Sequence, residues 1–398
     1  MKILNKILVI FIYMLVMACS SKQQNATQIS PGAELLDEYL PLLDGKTVGF
    51  IGNQTSIVDK QHLVDVLLEK GVNLKFVVAP EHGFRGEEKG GKEIGIETDE
   101  KTGLPIYSLY KGSASRYDAK TDSIIGTADV ILFDLQDVGT RFYTYSTSLH
   151  VAMQLCANHN KTLIVLDRPN PNGDQVDGPV RSSDDFKSDV SYHKIAMVHG
   201  LTMGELAVMI NGENWLDNDK ICELKVIKVN NYTHRSRYEL PVKPSPNLPN
   251  HLSVRLYPSL CLFEATPMSV ARGTDFPFQA VGYYDSSFGD FTFTPQVGAY
   301  SNMPPKPTQY YGVDLRHLNS DEQTFTLKYV LDFYHLSKAA DVEFFSRSLR
   351  FDQLAGTGDL QEQIKSGMSE EQIRATWQDD LAQYKQMRKK YLLYEDFE

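Results

Sequence analysis

From residue 45 to 169 the chain alternates short runs of β-branched and aromatic residues with longer stretches in which apolar residues recur every three or four positions. The runs KTVGFIG, VNLKFVVAP, LPIYSLY, ADVILFDL and KTLIVLDRP read as strands. The spacing predicts helices over 61–70, closed by Gly71, and over 144–159. Strands joined by helix-length crossovers require a mostly parallel sheet, so this half is α/β and Rossmann-like. The first strand runs into GFIGNQTS, which lacks the GxGxxG fingerprint, and no cofactor is expected.

Beyond Pro169 the pattern changes. A Pro/Gly/Asp-rich connection at 170–179 leads to a helix at 201–211, a strand near 224–229 and Pro-rich loops through Pro258. Short strands at 281–284, 291–294 and 312–315, a helix near 322–336 and an amphipathic surface helix over 369–391 follow. The expected division is a Rossmann-like domain over 34–180 and a smaller α+β domain over 181–398.

The first 33 residues stand apart. Lys2 and Lys6 precede an apolar run over 7–17 that ends in Val16-Met17-Ala18-Cys19 and then Ser20-Ser21-Lys22. This is the pattern of a bacterial lipoprotein signal (1–18) with acylation at Cys19, the alternative being an uncleaved anchor or plain secretory signal. Residues 19–33 are polar and tether-like. Ser20 after the cysteine and the absence of an acidic run point to the outer membrane, facing the periplasm. A formal charge of −11 argues against nucleic acid as a partner. Cys156, Cys222 and Cys261 are far apart without a CxxC, and read as small buried apolar residues.

Ligands of open parallel sheets bind outside the carboxyl ends of the strands, so the residues that follow each strand carry the information. Here they are Asn53-Gln54-Thr55, Pro80-Glu81-His82-Gly83-Phe84-Arg85-Gly86, Asp134-Leu135-Gln136-Asp137, and Asp167-Arg168-Pro169-Asn170. Two carboxylates flanking a bond suit glycoside cleavage, one as proton donor and one as nucleophile or base. Glu81, in a strand-end turn beside Phe84, is the first candidate for the acid; its structural alternative is a salt bridge to Arg85. His82 orients Glu81, binds substrate or is merely structural. Asp134 and Asp137 need donors, for which Arg141 is the nearest candidate; a divalent metal on this pair is the weaker reading, since no HExxH or histidine cluster accompanies it, and no metal is expected. Tyr143 either faces a sugar ring or lies in the core. Arg168 either pairs with Asp167 or captures a substrate carboxylate. In the second half, Glu205 has capping-box spacing from Thr202. Asn247 in PSPN, and Glu264 with Arg272 and Asp275, are further candidates. Arg272 suits a two-pronged grip on a carboxylate, which muramic acid has and glucosamine lacks, or else pairs with Asp275 to hold a loop.

Together PEHGFRG, FDLQDVGTRFYTY, DRPNPNG, HGLTMGE, PSPN and FEAT…SVARGTDFPF resemble the signature segments of the NamZ-type exo-β-N-acetylmuramidases, glycoside hydrolase family 171, in order from about residue 45 to the C-terminus. The resemblance implies a Rossmann-like domain joined to an auxiliary domain, a site in the cleft between them, and release of N-acetylmuramic acid (MurNAc) from non-reducing ends of peptidoglycan-derived MurNAc-GlcNAc saccharides. It places the catalytic glutamate of the PEHG segment on Glu81. Ala265 and Ala271 stand where relatives are expected to carry glycine, adding methyl groups to a loop near the sugar. Competing readings are a lipid-anchored muropeptide-binding protein without catalysis and a metal-dependent amidase or deacetylase.

Overall fold

The computed structural model describes residues 28–80, 83–86, 97–111, 113–117, 119–296 and 308–398. Glu81, His82 and Cys19 lie outside the described residues. Seven strands form the main sheet: β1 (Thr47–Gly52), β2 (Asn73–Ala79), β3 (Glu97–Thr98), β4 (Pro105–Ser108), β5 (Val130–Asp134), β6 (Thr162–Leu166) and β7 (Glu223–Ile227). Their order is β7-β6-β5-β1-β2-β4-β3, parallel throughout except for β3 against β4. The central strands are apolar along their length because both faces are covered. Successive residues serve opposite sides. Ile51, Ile131 and Leu163 pack with α4 (Tyr145–Asn158) and α5 (Met203–Gly212), whereas Phe50, Leu132 and Ile164 pack with α1 (Leu36–Leu43) and α2 (Leu63–Glu69).

The strand expected in the second unit near 224–229 is β7, an edge of the main sheet paired in parallel with β6. Helix α5 makes the crossover between them, and the expected capping box of Thr202 and Glu205 starts it. The connection passes so close that a Cβ on Gly204 would lie 2.6 Å from Val226 and 2.7 Å from the Asp167 carboxyl group. The chain therefore returns to the main sheet after residue 180. Pro-rich context around the strand hides a βαβ unit that its hydrophobic pattern alone suggests.

The remaining residues build an α+β unit. Helix α6 (His251–Leu260), opened by a capping box between Asn250 and Ser253, leads to an antiparallel sheet of β8 (Ala280–Tyr283), β9 (Phe291–Phe293) and β10 (Tyr310–Asp314). Helices α7 (Lys328–Ala339), α8 (Ser348–Ala355), α9 (Asp359–Lys365), α10 (Glu370–Thr376) and α11 (Gln378–Lys389) complete it. The single C-terminal helix expected over 369–391 is two helices, because buried Trp377 leaves helical geometry between α10 and α11. The three cysteines are free and buried. Among the described residues no helix is long and apolar enough to cross a membrane.

Strands β1, β2 and β4 run out to one side before the chain returns across β1 to place β5, β6 and β7 on the other. The reversal opens a crevice at the carboxyl ends of β1 and β5, the place where ligands enter such sheets.

Candidate active site

The turn after β1 forms the floor of this crevice. Asn53 is fully buried; its Oδ1 accepts from the Thr55 amide (2.9 Å) and hydroxyl (2.7 Å), and its Nδ2 donates to the Tyr145 hydroxyl (2.6 Å). Ser56 Oγ donates to the Asp134 carbonyl at 2.6 Å, which ties the ends of β1 and β5 together. Asn53 thus positions the turn, and its polar atoms are engaged within the protein. Gln54 points the other way, donating from Nε2 to the carbonyls of Lys243 (3.2 Å) and Pro244 (3.3 Å). The Tyr143 hydroxyl donates to the same Pro244 carbonyl at 2.8 Å. The sheet end and the PSPN loop are joined through these two side chains.

The charged strand-end residues are mostly spent on one another. The Arg168 guanidinium meets Asp134, with Nε to Oδ1 at 2.5 Å and Nη2 to Oδ2 at 2.9 Å, while the Arg168 backbone amide donates to Asp167 Oδ1 at 3.0 Å. Asp137 accepts from the Gly139 amide at 2.6 Å and lies 3.4 Å from His199 Nε2, deep in the protein. Arg141 supplies neither aspartate: it is fully buried and donates to the carbonyls of Pro179, Ile195, Leu354 and Ala355, so it pins the main sheet unit to α8. Arg85 is held by Asp99 (2.7 Å) and Asp65 (3.1 Å), and its guanidinium holds the Asp99 carboxyl down at about 2. Phe84 packs edge-on against His62 at 4.6 Å, and Gly86 abuts Gln54. The described flank of the PEHGFRG segment is therefore fastened by a ring contact, an ion cluster and a close approach.

The groups that do share open space are Tyr143, Asn247, Glu264 and Arg272. With Thr144, Ser245 and Tyr257 they line a cavity of about 150 Å³, roughly tenfold what one water needs. Its lining draws on both halves of the chain. Arg272 Nη1 donates to Glu264 Oε1 at 2.7 Å, each side chain about 31% exposed. Asp275 is exposed on a separate surface groove and does not pair with Arg272. Two lining residues carry no sequence signal: Arg350 from α8 and Asp189, paired at 2.9 Å. Nothing local in either segment marks a site, since the partners are 161 positions apart.

Ala271 has φ of 59°, the left-handed region where glycine is at ease, which is why glycine suits that position. Its methyl group packs with Ala280, Phe293 and Tyr310 in the auxiliary core and does not line the cavity, although the neighbouring Arg272 does. Among the described residues no group of three or more His, Cys, Asp or Glu could hold a metal.

Comparison with known proteins places this architecture. Residues 48–252 match the family described as exo-β-N-acetylmuramidase NamZ, N-terminal, and 255–394 its C-terminal counterpart. The chain is 34% identical to the peptidoglycan β-N-acetylmuramidase NamZ of Bacillus subtilis, covering 94% of each protein. A DUF1343 family protein of Bacteroides fragilis superposes with a TM-score of 0.83 at 40% identity, covering 93% of this chain and 100% of that one. A second from the same organism gives 0.76 at 30% identity over 92% and 99%. Matched along almost its whole length, the chain belongs to the NamZ family of exo-β-N-acetylmuramidases, which are glycoside hydrolases.

Proposed function

We propose that the cavity bounded by Tyr143, Asn247, Glu264 and Arg272 receives the terminal MurNAc of a peptidoglycan fragment, and that Arg272 reads its lactyl carboxylate. The carrying observation is that this guanidinium faces the cavity while Arg85, Arg141 and Arg168 are engaged elsewhere. A guanidinium partly withdrawn from solvent, about 31% exposed, gains more from a carboxylate than it would free in water.

In this reading Glu81 donates its proton to the glycosidic oxygen as the bond from C1 to the leaving GlcNAc breaks. Of the other two candidate carboxylates, Glu264 lines the cavity and Asp137 does not, so Glu264 is better placed to serve C1 or its attacking water. Membership of a glycoside hydrolase family favours this over the binding-only and amidase readings. A nitrophenyl β-MurNAc glycoside should be cleaved and the GlcNAc glycoside resisted, and Arg272→Lys should weaken MurNAc turnover more than folding. Equal rates on the two glycosides would end the lactyl-recognition reading.

We also propose that the chain is exported, acylated at Cys19, and held at the outer membrane facing the periplasm, on the strength of the leader pattern. Fractionation of wild type and Cys19→Ala should show that the variant loses its anchor; identical partitioning without lipid incorporation would refute it.

A further inference from the structure

We propose that Arg350 is a second specificity-determining residue, forming with Arg272 a two-guanidinium receptor for the sugar's carboxylate, which takes the place of Asp189. This rests on the MurNAc reading above.

Both arginines line one cavity but come from distant parts of the fold, Arg272 from the turn before β8 and Arg350 from α8. Each is neutralised by one carboxylate, Arg272 by Glu264 at 2.7 Å and Arg350 by Asp189 at 2.9 Å. Neither pair resembles the sealed Arg168–Asp134 pair, whose side chains are at most 2% exposed; Arg350 and Asp189 are 31% and 27% exposed. The second prong of the Arg350–Asp189 contact, Nη2 to Oδ2, is stretched to 3.5 Å. Arg272 Nε has no partner among the described residues. Arg350 is therefore held by one good bond, and Arg272 keeps an unpartnered donor.

Both acidic residues are anchored through their backbone carbonyls, so only their side chains are free to turn. Glu264 sits in a 3-10 turn directly after α6, and Arg347 donates to its carbonyl at 3.2 Å. Asp189 lies between a short 3-10 turn (Asp184–Phe186) and the strand Ala196–Val198; its backbone carbonyl accepts from Thr147 Oγ1 at 2.9 Å, and its carboxylate pairs with Arg350. Only the Asp189 side chain, 27% exposed and joined to Arg350 by one short bond and one stretched bond, has to turn aside for an incoming carboxylate. The exchange keeps the charge of the cluster unchanged, with one carboxylate replacing another beside Arg350. A neutral N-acetylhexosamine offers no such replacement, and would have to compete with Asp189 for space without compensating the guanidinium.

The test uses the full chain and two substrates: the nitrophenyl β-MurNAc glycoside and its lactyl methyl ester, the same sugar without the charge. Esterification should raise KM of the wild type by roughly tenfold to a hundredfold, the scale of a lost charge-assisted hydrogen bond. Arg350→Gln should raise KM for the acid by part of that factor and shrink the acid-to-ester ratio by the same part, since residue and charge act as one interaction while Arg272 keeps its share. Asp189→Asn should lower KM for the acid, since the carboxylate that competes for Arg350 is gone. If Arg350→Gln still distinguishes acid from ester as the wild type does, or if Asp189→Asn raises KM as much as Arg350→Gln, the pair is a strut and the inference is overturned. Should Arg350→Gln not fold, Arg350→Lys keeps the charge without the fork, and wild-type discrimination there overturns it equally. A wild type inactive on the MurNAc glycoside overturns the functional reading itself, whereas an active wild type with intact discrimination in the variants overturns this inference alone.

Discussion

Arg168 and Asp134 form a two-pronged ion pair sealed from solvent, 2.5 and 2.9 Å across its two bonds, where β5 and β6 end side by side. The pair does structural work at a position where sheet topology leads one to look for substrate contacts. Removing one partner leaves the other charge buried. Arg168→Met should therefore cost about 3–5 kcal/mol of unfolding free energy, and Asp134→Asn should cost a similar amount. Chemical denaturation checks this, and a loss below about 1 kcal/mol would mean that the pair is solvated in solution.

The C-terminal tail is a second clamp on the same sheet edge. Tyr394 donates its hydroxyl to Asp167 at 2.6 Å and accepts from the Val229 amide at 2.9 Å, while the Leu393 amide donates to Glu205. Tyr394→Phe keeps the ring and removes both bonds. It should cost roughly 1–3 kcal/mol, and an unchanged thermal midpoint would contradict the clamp.

Much of the main sheet is legible in the sequence because its strands are short apolar runs bounded by polar turns, a pattern set by burial on both faces. The pairings are not legible, since they depend on which strand ends become neighbours. The Arg168 guanidinium finds Asp134 and not the adjacent Asp167, and Arg272 finds Glu264 and not Asp275. Helix α6 is masked by Pro258 near its end, and α8, which brings in Arg350, is short and lacks any motif. Functional geometry of this kind is made by tertiary packing, and residues such as Asp189 acquire meaning only from what faces them.

Stability should also fall on the acid side of neutrality. Burial pushes His150 down to about 3, helped by Lys187, and its Nδ1 lies 3.1 Å from buried His193 Nε2, with Tyr192 against its ring. Above about 6.5 both the folded and unfolded forms are neutral and the contribution is fully present; as pH falls toward 3 only the unfolded chain takes the proton. One such histidine implies a loss of about 2 kcal/mol by pH 5. Unfolding measured from pH 7.5 to 5 should show this slope, and His150→Gln should flatten it; an equal slope in the variant would assign it elsewhere.

Arg141 offers a backbone-level check. Gly356 has φ of +78°, and a Cβ there would lie 2.5 Å from Arg141 Nη2. Gly356→Ala should destabilise by roughly 1–3 kcal/mol through strain and the displaced guanidinium. Turnover per folded molecule should hold, because Arg141 does not line the cavity. A selective loss of turnover with unchanged stability would return Arg141 to the site.

The most direct test of the account is the turnover of a MurNAc-GlcNAc disaccharide by Glu81→Gln, read as free MurNAc released. Glutamine keeps the shape but has no proton to give, so the rate should fall by roughly 10²–10⁴-fold with little change in stability. Near-normal release by the variant would contradict proton donation by Glu81 and move the catalytic assignment to Glu264 and Asp137.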